Sequence, residues 1–254
     1  MLVAVTRAVS RSISECELTF LKRKAIDYAR ADAQHRAYED CLRSLGLRVI
    51  SLPAIEDLPD SVFVEDPAVV LDEVAILGRP GAPSRRPEVP CLAAALAPFR
   101  PLRRIAAPGT LEGGDIVRAG RTLFAGLSGR TNAEGVAQLA AIAEPLGYRV
   151  VPVEVRGCLH LKSACCYLGG ETMLANREWF DAGALAGYRL LDVAEEWAAD
   201  VLAIGETVLM PANFPETAAL VKAEGFHTHA LDVSELQKAE AGVTCMSLTF
   251  TKAG

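Results

Sequence analysis

With 254 residues, 51% of them hydrophobic and 23% charged, the chain carries enough apolar material for a sizeable globular core, and disorder, collagen and coiled coil are excluded. A formal charge of -6 argues against a nucleic-acid or anionic-membrane surface, which needs clustered positive charge, and favours small cationic ligands. No apolar run reaches the roughly 18 residues that span a bilayer, the opening MLVAVTRAVSRS lacks a signal-peptide h-region, and the seven cysteines form no CxxC pair, so buried thiols in a reducing, cytoplasmic setting are expected.

In chain order, LVAVTRA (2–8) is an apolar strand in search of a partner, and HRAYEDCLRSL (35–45) spaces apolar residues by three and four before a Gly46 stop and the strand in LGLRVISLP (45–53). AVVLDEVAIL (68–77) reads as two strands about Asp72-Glu73, and DIVRAGRTLFAG (115–126) as two about Ala119-Gly120. A helix over AEGVAQLAAIAEPL (133–146) follows, with Gly147 as stop and a strand in LGYRVVPV (146–153). CCYLGGETMLA (165–175) turns at Gly169-Gly170 ahead of the strand in AGYRLLDV (186–193). VLAIGETVLMP (201–211) turns at Gly205-Glu206 and leads to the helix PETAALVKAE (215–224), Gly225 and the strand in EGFHTHALDV (224–233). Finally VTCMSLTF (243–250) can pair with residues 2–8. Each unit reads hairpin, helix, strand, which makes about five units of roughly fifty residues, a period typical of radial repeats. One α/β domain over 1–254 is expected, closed into a ring where the end strands meet. An open α/β sheet is the alternative.

The chemistry-bearing residues are dispersed. A thiol nucleophile takes its acid or base from a distant segment, and Cys245, at the mouth of the last strand, with His160, after RGCL, fits that arrangement. Taken singly, a cysteine there is more often a buried thiol and a lone histidine a structural group. PDSVFVEDPAVV (59–70) interleaves Asp60, Glu65 and Asp66 with Val62, Phe63 and Val64 ahead of a strand. Buried acids need a counterion, and a cationic ligand would supply one. GTLEGGDIV (109–117) brackets Gly113-Gly114 with Glu112 and Asp115, where close backbone approach would let a carboxylate orient an imidazole. Arg85 in GAPSRRPE and Arg130 in GLSGRTN stand in loops after strands and could form a fork for a carboxylate. Solvated charge is the plainer reading of each.

Together, FVED, SRR, LEGGD, GLSGRTN, the histidine after RGCL and SELQK…TCMS resemble, in order, the dimethylarginine dimethylaminohydrolases, within the guanidine-modifying enzymes that include arginine deiminases and amidinotransferases. The resemblance runs from about Leu18 to the C-terminus. It implies a five-bladed α/β propeller of pseudo-symmetric ββαβ units with a central active site. It further implies Cys245 as nucleophile, His160 as general acid and base, and Glu112 as the group orienting His160. Asp60 and Asp66, with Glu65 between them, match the acids that hold the guanidinium. Arg85 and Arg130 match the arginines that bind the amino-acid carboxylate, Leu18 the loop closing over the substrate, and Ala239 a backbone contact to the α-amino group. Glu240-Ala241 stands where relatives often have Asp-Gly. The implied reaction is hydrolysis of asymmetric dimethylarginine or monomethylarginine to citrulline, with no metal or cofactor. The partner is a small molecule, and a homodimer is compatible with it. A deiminase acting on arginine, a hydrolase of another N-substituted arginine, or a non-catalytic cationic amino-acid binder are the alternatives. The first would carry an extra helical domain of which the sequence has no sign.

Overall fold

In the computed structural model, which describes residues 1–252, every hairpin expected from the sequence forms, and each is joined by a third strand parallel to its second arm. β1 (Leu2–Arg7), α1 (Tyr28–Ser44) and β2 (Arg48–Leu52) come first. β3 (Ala68–Val70) and β4 (Ala75–Leu77) pair antiparallel, and β5 (Leu102–Arg104) returns beside β4 after α2 (Glu88–Leu96). The pattern repeats through β6 (Ile116–Ala119), β7 (Thr122–Leu127), α3 (Ala133–Ala143) and β8 (Arg149–Glu154). After the short α4 (Leu161–Ala164) it continues with β9 (Cys165–Gly169), β10 (Thr172–Ala175) and β11 (Arg189–Asp192). β12 (Leu202–Ile204), β13 (Thr207–Pro211), α5 (Pro215–Ala223) and β14 (His227–Leu231) form the fourth sheet. Past α6 (Ser234–Gln237), β15 (Leu248–Thr251) pairs antiparallel with β1, from Leu2↔Thr251 to Val5↔Leu248, completing a fifth sheet ordered β15-β1-β2.

The first strands face the hub. β15 packs on β3, β6 on β9, and β9 on β12, and a central channel of about 420 Å³ takes lining residues from all five of these strands. Middle strands are buried almost throughout, as in β4 and β13, whereas outer strands such as β2 and β14 alternate toward solvent, the pattern of a sheet covered on its inner portion and wet at its rim. Gly46, Gly147 and Gly225 end the helical segments at φ +85°, +85° and +91°, the left-handed geometry that makes glycine the usual stop. The architecture is a five-bladed α/β propeller of ββαβ units.

Two local expectations change. Between β10 and β11 there is no α-helix but two 3₁₀ turns, Arg177–Trp179 and Ala182–Leu185. Asn176 and Asp181 accept the N–H groups of Glu178 and Gly183, side-chain caps two residues on that compete with helix formation. α1 starts earlier than its apolar periodicity, at an Asp27 cap that accepts the Arg30 N–H at 3.1 Å. Residues 60–67 are a run of turns, and strand begins only at Ala68. Among the described residues no helix is long and apolar enough to cross a membrane.

Candidate active site

The turns of 60–67 are organised by a buried arginine. Arg85 donates Nη1 to the Asp66 carboxylate, Nη2 to the carbonyls of Asp60 at 3.2 Å and Phe63 at 3.1 Å, and Nε and Nη2 to Glu88 at 3.0 and 2.9 Å. A guanidinium engaged on every nitrogen fixes the wall of a site. Arg130 is bound more loosely, at 3.5 Å from Glu112 and 3.3 Å from the Thr19 hydroxyl, so of the two expected arginines it has the donors to spare. The Glu65 carboxylate points away from both, to Lys162 Nζ and to the Thr244 hydroxyl at 2.8 Å. With Lys162 and Thr244 it lines the central channel.

His160 follows the turn at Gly157, and its place is fixed from behind. Asp115, fully buried, accepts the Leu161 N–H at 3.0 Å and the Ser128 hydroxyl at 2.7 Å, and so anchors the start of α4 beside the imidazole. Nε2 of His160 meets Glu112 Oε2 at 2.7 Å, and Nδ1 lies 3.8 Å from Asp66 Oδ1. The glycine pair makes this packing feasible. A Cβ on Gly114 would come within 2.6 Å of His160 Nδ1, and one on Gly113 within 2.1 Å of the Glu65 carbonyl oxygen. Burial alone would lower the imidazole's pKa, but Asp66, Asp115 and Glu112 outweigh it and raise it to about 9. Burial likewise opposes ionisation of Glu112, yet His160, Arg85 and Arg130 hold it down at about 2. At neutral pH the pair is therefore an imidazolium on a carboxylate. Replacing Glu112 by glutamine removes a negative charge and so should lower the His160 pKa by about one unit or more. Imidazole NMR titration measures this, and an unchanged titration would mean that Glu112 does not tune the ring.

Cys245 sits in the turn before β15, neither buried nor fully exposed, while Cys16, Cys41, Cys158, Cys165 and Cys166 are buried thiols. Burial, then Asp200, Asp66 and Glu65, push its thiol well above the ordinary range. Of the ten residues singled out from the sequence, Asp60, Asp66, Arg85, Arg130, His160, Ala239 and Cys245 line one narrow cleft. Glu112 is directly behind His160. Glu65 faces the channel instead, and Leu18 is packed, half-buried, in the loop above the cleft. The free volume of the cleft is about 20 Å³, room for little more than a water, so an amino acid enters only if the covering loop moves. That loop is tied down by polar contacts. The Glu17 N–H donates to Asp60 at 3.0 Å, and the N–H groups of Thr19, Phe20 and Leu21 converge on Glu240 Oε1 at 3.0, 2.6 and 2.5 Å. Sequence reasoning missed Leu159 in the cleft wall, and Asp200 and Lys162 behind it, while Phe63, Glu240 and Ala241, noted in the sequence without a site role, also line it. Nothing local marks Asp200, since the turn residues it contacts, Thr244 and Cys245, lie 44 and 45 positions away.

Fold and cleft together define a propeller with a thiol, an imidazolium and carboxylates gathered at its hub. A family described as "N,N dimethylarginine dimethylhydrolase, eukaryotic" matches residues 9–178. The chain is 40% identical over 247 residues to the dimethylarginine dimethylaminohydrolase of Streptomyces coelicolor, covering 96% of this chain and 95% of that protein. Among solved structures, a cysteine-to-serine variant of the Pseudomonas aeruginosa enzyme complexed with citrulline superposes with a TM-score of 0.91 at 36% identity, covering 97% of this chain and 98% of that one. A histidine-to-glycine dimethylarginine dimethylaminohydrolase in adduct with S-methyl-L-thiocitrulline gives 0.94 at 37% identity, covering 98% and 100%. The chain belongs to the dimethylarginine dimethylaminohydrolase family.

Proposed function

We propose that this protein hydrolyses asymmetric dimethylarginine and monomethylarginine to citrulline, releasing dimethylamine or methylamine, through a covalent intermediate on Cys245. The observation that carries the reading is the meeting of the Cys245 thiol, the His160 imidazolium and the Asp66 carboxylate in one closed cleft. A guanidinium is a poor electrophile because its charge is delocalised, so it must be held planar and protonated against the attacking sulfur. Asp66 has the placement to do so. Asp60 is engaged with the Glu17 N–H and would also fasten the covering loop, and Arg130 offers its spare donors to the substrate carboxylate. The cationic substrate favours loss of the thiol proton to solvent, and the thiolate adds to the central guanidine carbon. The C–N bond breaks as His160 gives its proton to the departing amine. His160, now neutral, takes a proton from water, whose oxygen attacks the thiouronium carbon, and the C–S bond breaks to free citrulline and Cys245.

The methyl groups remove hydrogen-bond donors from one terminal nitrogen, so one flank of the cleft should be apolar. Phe63, Leu159, Ala239 and Ala241 supply such surface, with Val62 and Val64 turned into the core. Free arginine would bury unpaired N–H groups there at about 1 to 3 kcal/mol each. The kcat/KM for the methylated arginines should thus exceed that for arginine by at least about tenfold. Citrulline release from the three substrates side by side checks this, and equal or better rates with arginine would move the protein to a deiminase reading.

A further inference from the structure

Asp200 is a buried acid with no part in the steps above. It lies just before β12, after Trp197, which adopts φ +68°. Its carboxyl reaches across the hub to the turn that carries the nucleophile. Oδ1 accepts the Thr244 N–H at 3.0 Å, and Oδ2 lies 3.2 Å from the Thr244 hydroxyl and 4.0 Å from Cys245 Sγ. The fit leaves no room for a side chain at Gly242, where a Cβ would fall 2.0 Å from the Asp200 carboxyl carbon. Glu65, the other acid touching Thr244, has Lys162 as its cation, whereas Asp200 makes no salt bridge among the described residues. The titratable groups facing Asp200 are Cys245, Glu65, Lys162, Cys166 and Tyr38. Cys245 also faces Asp66 and Glu65.

We propose that Asp200 is a positioning residue for the nucleophile: its carboxyl anchors the turn from Gly242 to Cys245 through Thr244, and its charge beside the sulfur keeps the free enzyme's Cys245 protonated until a cationic substrate arrives. A negative group 4.0 Å from Sγ disfavours the thiolate, and a guanidinium against Asp66 offsets it. Burial raises the Asp200 carboxyl to about 7, so it is fully ionised over the alkaline range in which the thiol titrates. The sign of its effect follows directly. Removing the charge should make the thiolate easier to form.

The inference rests on Cys245 being the nucleophile, and two variants test it. Asp200→Asn keeps an acceptor for the Thr244 N–H while removing the charge and putting an NH2 donor where the second oxygen faced Sγ, and Asp200→Ala removes the anchor and the charge together. The pH dependence of iodoacetamide alkylation, followed by mass spectrometry of the peptide containing Cys245, reads thiol ionisation without any substrate. Both variants should shift that profile down by at least about one pH unit, a tenfold gain in thiolate at a given pH. The kcat on asymmetric dimethylarginine should fall further in Asp200→Ala than in Asp200→Asn, because only the latter keeps the anchor. A profile indistinguishable from that of the unmodified protein overturns the electrostatic role, and equal kcat in the two variants overturns the anchoring role. If one variant does not fold, the other carries the ionisation test alone. Because alkylation needs no substrate, a wrong substrate assignment leaves its outcome intact.

Discussion

Replacing Cys245 by serine should abolish turnover, with kcat for asymmetric dimethylarginine reduced by at least about a thousandfold, while the protein stays folded. A serine hydroxyl is far less ionised and less nucleophilic than a thiol, and loss of a covalent nucleophile removes the entire route rather than one contribution to it. The fold is expected to tolerate the change because the side chain is similar in size and lies at the cleft rather than in the core. Asp200 Oδ2 and the cleft can also accept a hydroxyl. Circular dichroism melting should show a Tm within a few degrees of that of the unmodified protein, and citrulline should not accumulate. Substantial residual activity in a folded Cys245→Ser variant would remove the thiol from the mechanism and direct attention to direct attack by water.

The ring was legible in the sequence because its signals are local and repeated. Apolar hairpins with glycine turns and glycine-stopped helices recur with one spacing, and their pairing follows from adjacency along the chain. The third unit escaped because Asn176 and Asp181 bend the chain by side-chain capping where a helix was expected, and the hydrophobic pattern does not report such competition. α2 escaped because EVPCLAAAL is apolar on too many positions, with a proline inside it, to show a clear period. The site was legible in its residues but not in its pairings. That Arg85 is spent on Asp66, that Glu65 turns to Lys162, and that Asp200 stands behind Cys245 are consequences of separate segments converging on one hub, while the Arg85–Glu88 pair is a local i,i+3 contact. The convergent contacts, between residues up to 97 positions apart, leave no mark in any local pattern.

His160→Ala is the second substitution with a large expected effect, and it separates the two halves of the reaction. Without the imidazolium no group protonates the departing dimethylamine and none activates water afterwards, so kcat should fall by about 10² to 10⁴, the usual span for a general acid or base. A substrate whose leaving group departs without a proton, such as a thioether analogue, should still be attacked by Cys245. Its adduct should then persist, since the hydrolytic step is missing, and intact-protein mass spectrometry would show the added mass. Stability should suffer as well. Glu112 is fully buried and Asp66 nearly so, and removing the cation that faces both leaves Asp66 to Arg85 and Glu112 to the longer Arg130 contact at 3.5 Å, so the cost should stay below the roughly 3 to 5 kcal/mol of a fully broken buried pair and still show as a lower Tm. The wild-type pH profile carries the same signature. Activity should decline as His160 loses its proton near pH 9, because the leaving amine then lacks its acid. On the acid side, activity should fall as the thiol becomes harder to ionise. A variant with neither adduct nor loss of activity, and with an unchanged alkaline limb, would show that the imidazole takes part in neither step, leaving Glu112 and Asp66 to be explained as structural acids.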